Sequence, residues 1–163
     1  MADGLVHVKG LDELQRFLDK LPAKLEQNVM RGALRAGANV IKPVAAANIH
    51  SVSGETARSL KVRSGARGGR VTASVYTRHF VAPFLEWGTK PHTIKATNRK
   101  ALAIGGAYFE SVEHPGARPH PFLRPAMDTQ AQAAVLAAGE YVKQRLATKE
   151  GIDTAGITLE AEE

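Results

Sequence analysis

Histidines and carboxylates are the residues of this chain that could bind a metal ion or move a proton. His114 and His120 stand six residues apart on a proline-rich segment, and no two histidines show the His-Glu-x-x-His spacing of a helical zinc site. A metal site would need a carboxylate such as Glu86 or Glu113 brought beside them by folding. The spacing therefore predicts no metal centre.

Motifs for other kinds of catalysis are also missing from the sequence. There is no Gly-x-Ser-x-Gly elbow and no P-loop, and Gly65, Gly68 and Gly69 do not form a dinucleotide fingerprint. The chain has no cysteine, which excludes thiolate catalysis and disulfides. We expect a protein that is not an enzyme, with no catalytic residues and no cofactor.

The charge of the chain is concentrated in its middle. The formal net charge is +6, but residues 50–124 carry 12 Lys or Arg against 4 Asp or Glu, and residues 148–163 carry 1 Lys against 5 acids. A basic middle suggests a polyanionic neighbour, either nucleic acid or an acidic protein face. An ordinary solvated surface rich in arginine is the alternative. No apolar run approaches the roughly 20 residues of a membrane span, and we expect no membrane contact and no signal peptide.

A proline segment, residues 114–126, reads His-Pro-Gly-Ala-Arg-Pro-His-Pro-Phe-Leu-Arg-Pro-Ala. Each proline fixes its own φ and disfavours helix at the preceding residue, which predicts a stiff extended segment. Phe122 and Leu123, between Pro121 and Pro125, would be its apolar anchor. They either insert into a neighbouring subunit or pack within their own.

Three helices are predicted from apolar residues at helical spacing. The middle of the second helix is unusually small at Gly32 and Ala36, which permits close approach of another backbone. That approach is either packing against a sheet in the same subunit or a contact between subunits. The predicted helices cover residues 11–21, 23–50 and 125–147.

The middle of the chain alternates apolar and polar residues over residues 60–63 and 71–76, which predicts a β-hairpin with a glycine-rich turn. Arg67 and Arg70 on this turn either contact a phosphate backbone or lie on an ordinary exposed turn. Further short strands are predicted at residues 93–97 and 101–104.

Phe80, Phe84 and Trp87 recur at i, i+4 and i+7, which predicts a short helix over residues 81–87 that ends at Gly88. Burial explains this aromatic cluster more simply than base stacking does, and we expect Trp87 in the core.

Helices that bracket antiparallel hairpins indicate an α+β fold, with N-terminal helices and a C-terminal helix packed on a small antiparallel β-sheet. We expect a single domain over residues 1–147, followed by a mobile acidic tail over residues 148–163.

Several blocks in order carry a family resemblance. They are Ser53-Gly54-Glu55-Thr56-Ala57-Arg58-Ser59-Leu60, then Ala82-Pro83-Phe84-Leu85-Glu86-Trp87-Gly88-Thr89, then His114-Pro115-Gly116 and Pro121-Phe122-Leu123-Arg124-Pro125-Ala126. Together they resemble the neck, or tail-completion, proteins of long-tailed bacteriophages, also described as head–tail joining or minor tail components. A tyrosine usual before the Glu-Trp-Gly-Thr block is absent here.

The resemblance implies a structural virion protein of the head–tail junction, assembled in the host cytoplasm. It would form a homo-oligomeric ring of six or twelve copies between a head-closure or connector protein and a tail terminator or tail tube protein, with phage DNA passing through the lumen. The alternative is a basic nucleic-acid-binding domain with no virion role.

Residue roles follow from this implied ring. Pro121, Phe122, Leu123, Arg124 and Pro125, together with Gly32 and Ala36, are interface candidates, and Arg63, Arg67 and Arg70 are candidates for the DNA lumen. Arg124 either pairs with an acid across the interface or is a solvated cation at a helix start. Glu86 is expected to pair with a nearby basic residue.

Overall fold

The computed structural model of the protein describes residues 8–19, 23–50, 54–96, 101–151 and 153–161. Helices and short antiparallel strands alternate along the chain, which confirms the α+β prediction. No described helix is both long enough and apolar enough to cross a membrane. In chain order the elements are β1 (Val8–Lys9), α1 (Leu11–Leu18), α2 (Ala23–Ala47), α3 (Glu55–Arg58), β2 (Lys61–Arg67), β3 (Arg70–Tyr76), α4 (Ala82–Trp87), β4 (His92–Lys95), β5 (Leu102–Ile104), β6 (Ala107–Phe109), β7 (Ser111–His114), α5 (Leu123–Glu150) and β8 (Glu160–Ala161).

The long helices α2 and α5 pack against each other and form the body of the protein. Small residues on α2 make the close approach possible. A Cβ at Gly32 would collide with the ring of Tyr141 on α5, and a Cβ at Gly37 would lie 2.6 Å from the carbonyl oxygen of Ala134. The small middle of α2 therefore packs against a helix of the same subunit, whereas the sequence favoured a sheet.

Two apolar clusters fill the space around these helices. The first joins α1, the N-terminal half of α2 and the C-terminal half of α5, and the second joins the C-terminal part of α2 to Leu60, Ala82 and the start of α5. The buried members of the first are Leu14, Leu18, Val29, Ala33, Val142, Leu146 and Ile157, and those of the second are Ile41, Ala45, Leu60, Ala82, Phe122 and Ala126.

The C-terminal segment contributes to the first cluster, while the division into a domain over residues 1–147 and a mobile tail stays a prediction. Ile157 is 4% exposed within the cluster, and the Thr154 hydroxyl donates a hydrogen bond of 3.3 Å to the carbonyl oxygen of Lys143. Strand β8 pairs antiparallel with β1. Burying one isoleucine side chain is worth about 1.5–3 kcal/mol, so Ile157 favours docking of this otherwise acidic segment on the body.

The predicted hairpin is formed by β2 and β3, in a continuous register from Lys61 opposite Tyr76 to Arg67 opposite Arg70. Gly68 and Gly69 make the two-residue turn with φ of 57° and 77°, a conformation that glycine adopts without steric cost. The strands extend closer to the turn than the alternation predicts. The half-buried face of the hairpin packs on α2.

The strands do not form one sheet. Within the described residues they make separate two-stranded pairs, β1 with β8, β2 with β3, β4 with β7, and β5 with β6. The predicted short strands correspond to β4 and β5, while Thr97 lies outside the described residues.

Candidate functional site

Helix α4 positions the residues that the sequence singled out around Glu86. It begins with Ala82 and Pro83, whose fixed φ suits a first turn. It ends at Gly88, which has a φ of 71° and donates its N–H to the carbonyl oxygen of Phe84 at 2.9 Å. The predicted helix and its glycine end are confirmed.

The Glu86 carboxylate holds the beginning of α5. Its Oε2 accepts the backbone N–H groups of Phe122 at 2.8 Å and Leu123 at 3.0 Å, and its Oε1 accepts the N–H of Arg124 at 3.3 Å. The Phe122 side chain makes no capping hydrogen bond of its own. A carboxylate from a separate helix therefore supplies the acceptor and the negative charge that a helix N-terminus favours.

The Arg124 side chain completes this latch, which consists of Glu86, Arg124 and the first turn of α5. Its Nε donates to Glu86 Oε1 at 3.0 Å, and its Nη2 donates to the Glu86 carbonyl oxygen at 3.0 Å. The predicted local partner of Glu86 is therefore Arg124, and the acid that Arg124 meets belongs to its own subunit.

The ionisation of Glu86 follows from these contacts. Burial by itself raises the pKa of the carboxyl group. The hydrogen bonds donated by Leu123, Phe122 and Arg124 outweigh burial, and the pKa lies below its ordinary value. Glu86 is thus held as a carboxylate that serves α5, with its oxygens already engaged.

The prediction that Trp87 lies in the core is wrong. Trp87 is 67% exposed, and the Arg124 guanidinium lies over its ring, 4.3 Å from the centroid. Phe80 and Phe84 are also exposed. In a six-residue helix only Ala82 and Glu86 are buried, so the aromatic side of the helical repeat faces solvent while the opposite side faces the core.

The proline segment leads into the core. Phe122 is 1% exposed within the second cluster, so it packs in its own subunit and its side chain is not available to a neighbour. The backbone N–H of His120 donates to the Leu85 carbonyl oxygen at 2.7 Å, which ties the segment to α4. Leu123 and Pro125 are half-buried, as is Pro121.

The remaining predicted site residues lie elsewhere on the fold. Gly32 contacts α5 through Tyr141, while Ala36 is half-buried on the same helix and its role between subunits stays a prediction. Arg63, Arg67 and Arg70 are all exposed on the β2–β3 hairpin. The structure therefore separates the lumen candidates from the latch.

One polar constellation has the residue types of a nucleophile, a base and an acid. Thr56 Oγ1 lies 2.8 Å from His79 Nδ1, and His79 Nε2 lies 3.5 Å from Glu55 Oε2. Thr56 is only 1% exposed, so no substrate can reach its hydroxyl. The cluster joins α3 to the chain before α4. Across the described ranges, no group of three or more histidines and acids could hold a metal ion.

Two surfaces escaped prediction from the sequence. One is an apolar groove between α2 and α5. The other is the exposed surface of strands β4–β7, of which only β4 and β5 were predicted as strands. Strands β6 and β7 alternate too little for a periodicity argument, although the exposed Tyr108 and Phe109 beside Gly105 and Gly106 were a usable signal for a hairpin tip.

Comparisons with known proteins add one finding. Residues 12–88 match the family model HK97-gp10_like, described as "Bacteriophage HK97-gp10, putative tail-component". The match runs from α1 through α4 and ends at Gly88, so it includes Glu86 and Trp87 but not the proline segment. Searches of curated proteins and of solved structures gave no significant match. The match covers just under half of the chain. It agrees with the resemblance to the phage neck and tail-completion proteins, and it indicates a tail-related structural protein of a bacteriophage.

Proposed function

We propose that this protein is a non-enzymatic virion protein of the phage head–tail junction, where several copies form a ring around the DNA channel. The ring joins a head-closure or connector protein to a tail terminator or tail tube protein. The family match supports the phage tail context. The ring and the passage of DNA through it are proposed from the charge of the β2–β3 hairpin and the size of the chain.

The observation that carries the proposal is the outer face of the β2–β3 hairpin. Lys61, Arg63, Arg67 and Arg70 are all exposed, and neither strand contains an acid. In an antiparallel ladder, Lys61, Arg63 and Arg67 project to one side, and Arg70 opposite Arg67 projects to the same side. Four cations on one face suit contact with a phosphate backbone that slides past without sequence readout.

The pairing of Arg67 with Arg70 strengthens this interpretation. They are register partners beside the turn, and like charges directly opposite each other destabilise a ladder. Neither forms an ion pair within the described part of the chain that would offset the repulsion. A polyanion bound between them would offset this repulsion, so the position suits a surface that faces DNA.

The size of the chain supports a multimer. A compact domain of 163 residues has a radius of gyration of roughly 15 Å, too small to enclose duplex DNA alone. Several copies are therefore needed to surround the DNA.

Phage particles provide the direct test. A nonsense mutation in the gene for this chain should yield full heads and separate tails that do not join, and complementation should restore joined particles. Electron microscopy of intact virions with a labelled copy should place the label at the neck. Normal particles without the protein would refute the virion role, and salt-sensitive DNA binding by a protein absent from virions would favour the nucleic-acid-binding alternative.

A further inference from the structure

The segment from Thr89 to Ala117, here called the β-arm, has no buried residue among those the structure describes. Within the described part of the chain, its strands pair only with each other, β4 with β7 and β5 with β6. An isolated two-stranded ribbon is at best marginally stable in water. The β-arm therefore needs a surface outside its own subunit to be firmly held.

The root of the β-arm is fixed to the body. Thr89 and Ala117 exchange backbone hydrogen bonds of 2.9 and 3.1 Å. Gly88 and Gly116 let the two ends of the β-arm come this close. A Cβ at Gly88 would lie 2.5 Å from the Ala117 carbonyl oxygen, and a Cβ at Gly116 would collide with the Thr89 carbonyl oxygen. At about 3.3 Å per residue, the arm reaches at most roughly 35 Å from this root.

The end of the β-arm carries an apolar face. In the β5–β6 register Leu102 lies opposite Phe109 and Ile104 opposite Ala107, so these four side chains share one face. Ile104 is 52% and Phe109 44% exposed. Gly105 and Gly106 form the turn with open space around them, so the tip is narrow enough to enter a groove.

The body of the same chain has an apolar groove of about 660 Å³. It lies between α2, α5 and the inner side of β3, and residues of α1 line part of it. Met127 on its wall is 54% exposed, while Leu34, Leu123 and Val135 are half-buried. A volume many times the roughly 30 Å³ of one water can accept several large side chains.

We propose that the apolar tip of the β-arm docks in this groove on the next copy of the chain. The inference rests on the proposed ring, which it deepens by naming the contact. Tip and groove are different surfaces of one molecule, so their contact is heterologous and repeats from copy to copy until the ring closes. The reach of the arm exceeds the radius of the body, as a contact between copies requires.

The exposed aromatic residues of α4 are a poorer occupant. That helix is bound to the body through buried Ala82 and Glu86, and Arg124 already covers one face of Trp87. The β-arm tip stands clear of such contacts.

Cysteine cross-linking tests the contact without background, because the chain has no cysteine. The double variant Ile104→Cys with Met127→Cys should give, on mild oxidation of the purified full chain, a ladder of covalent multimers that ends at one closed species. Each single variant should give at most dimers. The matched control, Ile104→Cys with Thr72→Cys on the exposed hairpin face, should give no ladder.

A second pair of variants weakens the contact without threatening the fold. Ile104→Asp with Phe109→Asp should raise the concentration for half-assembly at least 10-fold, while the circular dichroism and Tm of the monomer stay unchanged because both side chains are exposed. Ala103→Asp, on the opposite face of the same hairpin, should change assembly less than 2-fold.

The outcomes separate this contact from the proposed function. An intramolecular disulfide, equal cross-linking of the control, or unchanged assembly of the double aspartate variant would overturn the contact, even if the protein still lies at the neck. A cross-linked ladder from a protein absent from virions would leave the contact standing and refute the junction role. A monomer at every concentration, with no cross-link, would overturn the contact.

Discussion

Arg124 Nε lies 3.0 Å from Glu86 Oε1, across 38 positions of the sequence, and this ion pair joins α4 to the beginning of α5. The same guanidinium covers Trp87. The latch thus fixes three things at once: the direction of α5, the burial of Phe122 beside it, and the root of the β-arm that follows Gly88.

Removing the charge of Glu86 should destabilise the protein. Glu86→Gln keeps the shape but turns one acceptor into a donor that faces backbone N–H groups of α5. Hydrogen bonds to charged groups contribute about 1.5–3 kcal/mol each, less when neighbouring donors find water. We expect a loss of about 2–4 kcal/mol in the free energy of unfolding, measured by urea denaturation at pH 7. Glu110→Gln, on the exposed β-arm, is the control and should change it little.

The latch should also make stability depend on pH. The pKa of Glu86 is lowered in the folded state, so the unfolded state binds the proton more readily and stability falls as pH falls. The contribution is complete above the unfolded value of about 4.3 and is lost as pH drops through the lower folded pKa. Thermal unfolding between pH 6 and 3 should show a shallower acid decline in Glu86→Gln than in the wild type. Parallel curves would contradict this role.

Trp87 is the only tryptophan and should report its contact with Arg124. An exposed cation–π pair contributes about 0.5–1 kcal/mol, and lysine does not reproduce the stacked, forked geometry of arginine. A double-mutant cycle with Arg124→Lys and Trp87→Leu should therefore give a coupling energy of about 0.5–1 kcal/mol. In the monomer, Trp87 fluorescence should be readily quenched by acrylamide, as a buried tryptophan would not be.

The sequence predicts most of the fold. Helical periodicity locates α2 and α4 closely, and the alternation before and after the glycine-rich turn locates the β2–β3 hairpin. These elements are predictable because each has one apolar face, and the spacing of the apolar residues along the sequence identifies that face. The family resemblance extends this to the phage tail context.

The latch and the two unforeseen surfaces could not be predicted in the same way. Glu86 meets Arg124 only because α4 lies across the start of α5, which local periodicity does not encode. Trp87 looks like core because aromatic residues at helical spacing usually are, yet Ala82 and Glu86 occupy the inner side of so short a helix. Ile157 similarly enters the core from a segment whose composition is acidic.

The root of the β-arm should be sensitive to a single methyl group. At Gly116, with a φ of 85°, a Cβ would both strain the backbone and collide with the Thr89 carbonyl oxygen. Gly116→Ala should loosen the root, raise amide hydrogen exchange at Thr89 and Ala117, and weaken assembly. Gly65→Ala is the matched control, because a Cβ there meets nothing within 4 Å. Equal exchange in both variants would contradict the rigid root.

Arg70→Glu should change stability and DNA binding in opposite directions. It replaces the repulsion between Arg67 and residue 70 by attraction, which stabilises a ladder by about 0.2–1 kcal/mol, so Tm should rise slightly. It also removes one phosphate contact and adds a repulsive charge, so the slope of log K against log salt should become shallower by at least about 0.9 per DNA-contacting subunit. The control is Arg16→Glu, at an exposed position of α1, which alters the net charge equally but lies off the hairpin. It should leave the slope unchanged. Equal losses in both variants would mean that net charge, and not the hairpin face, governs DNA binding.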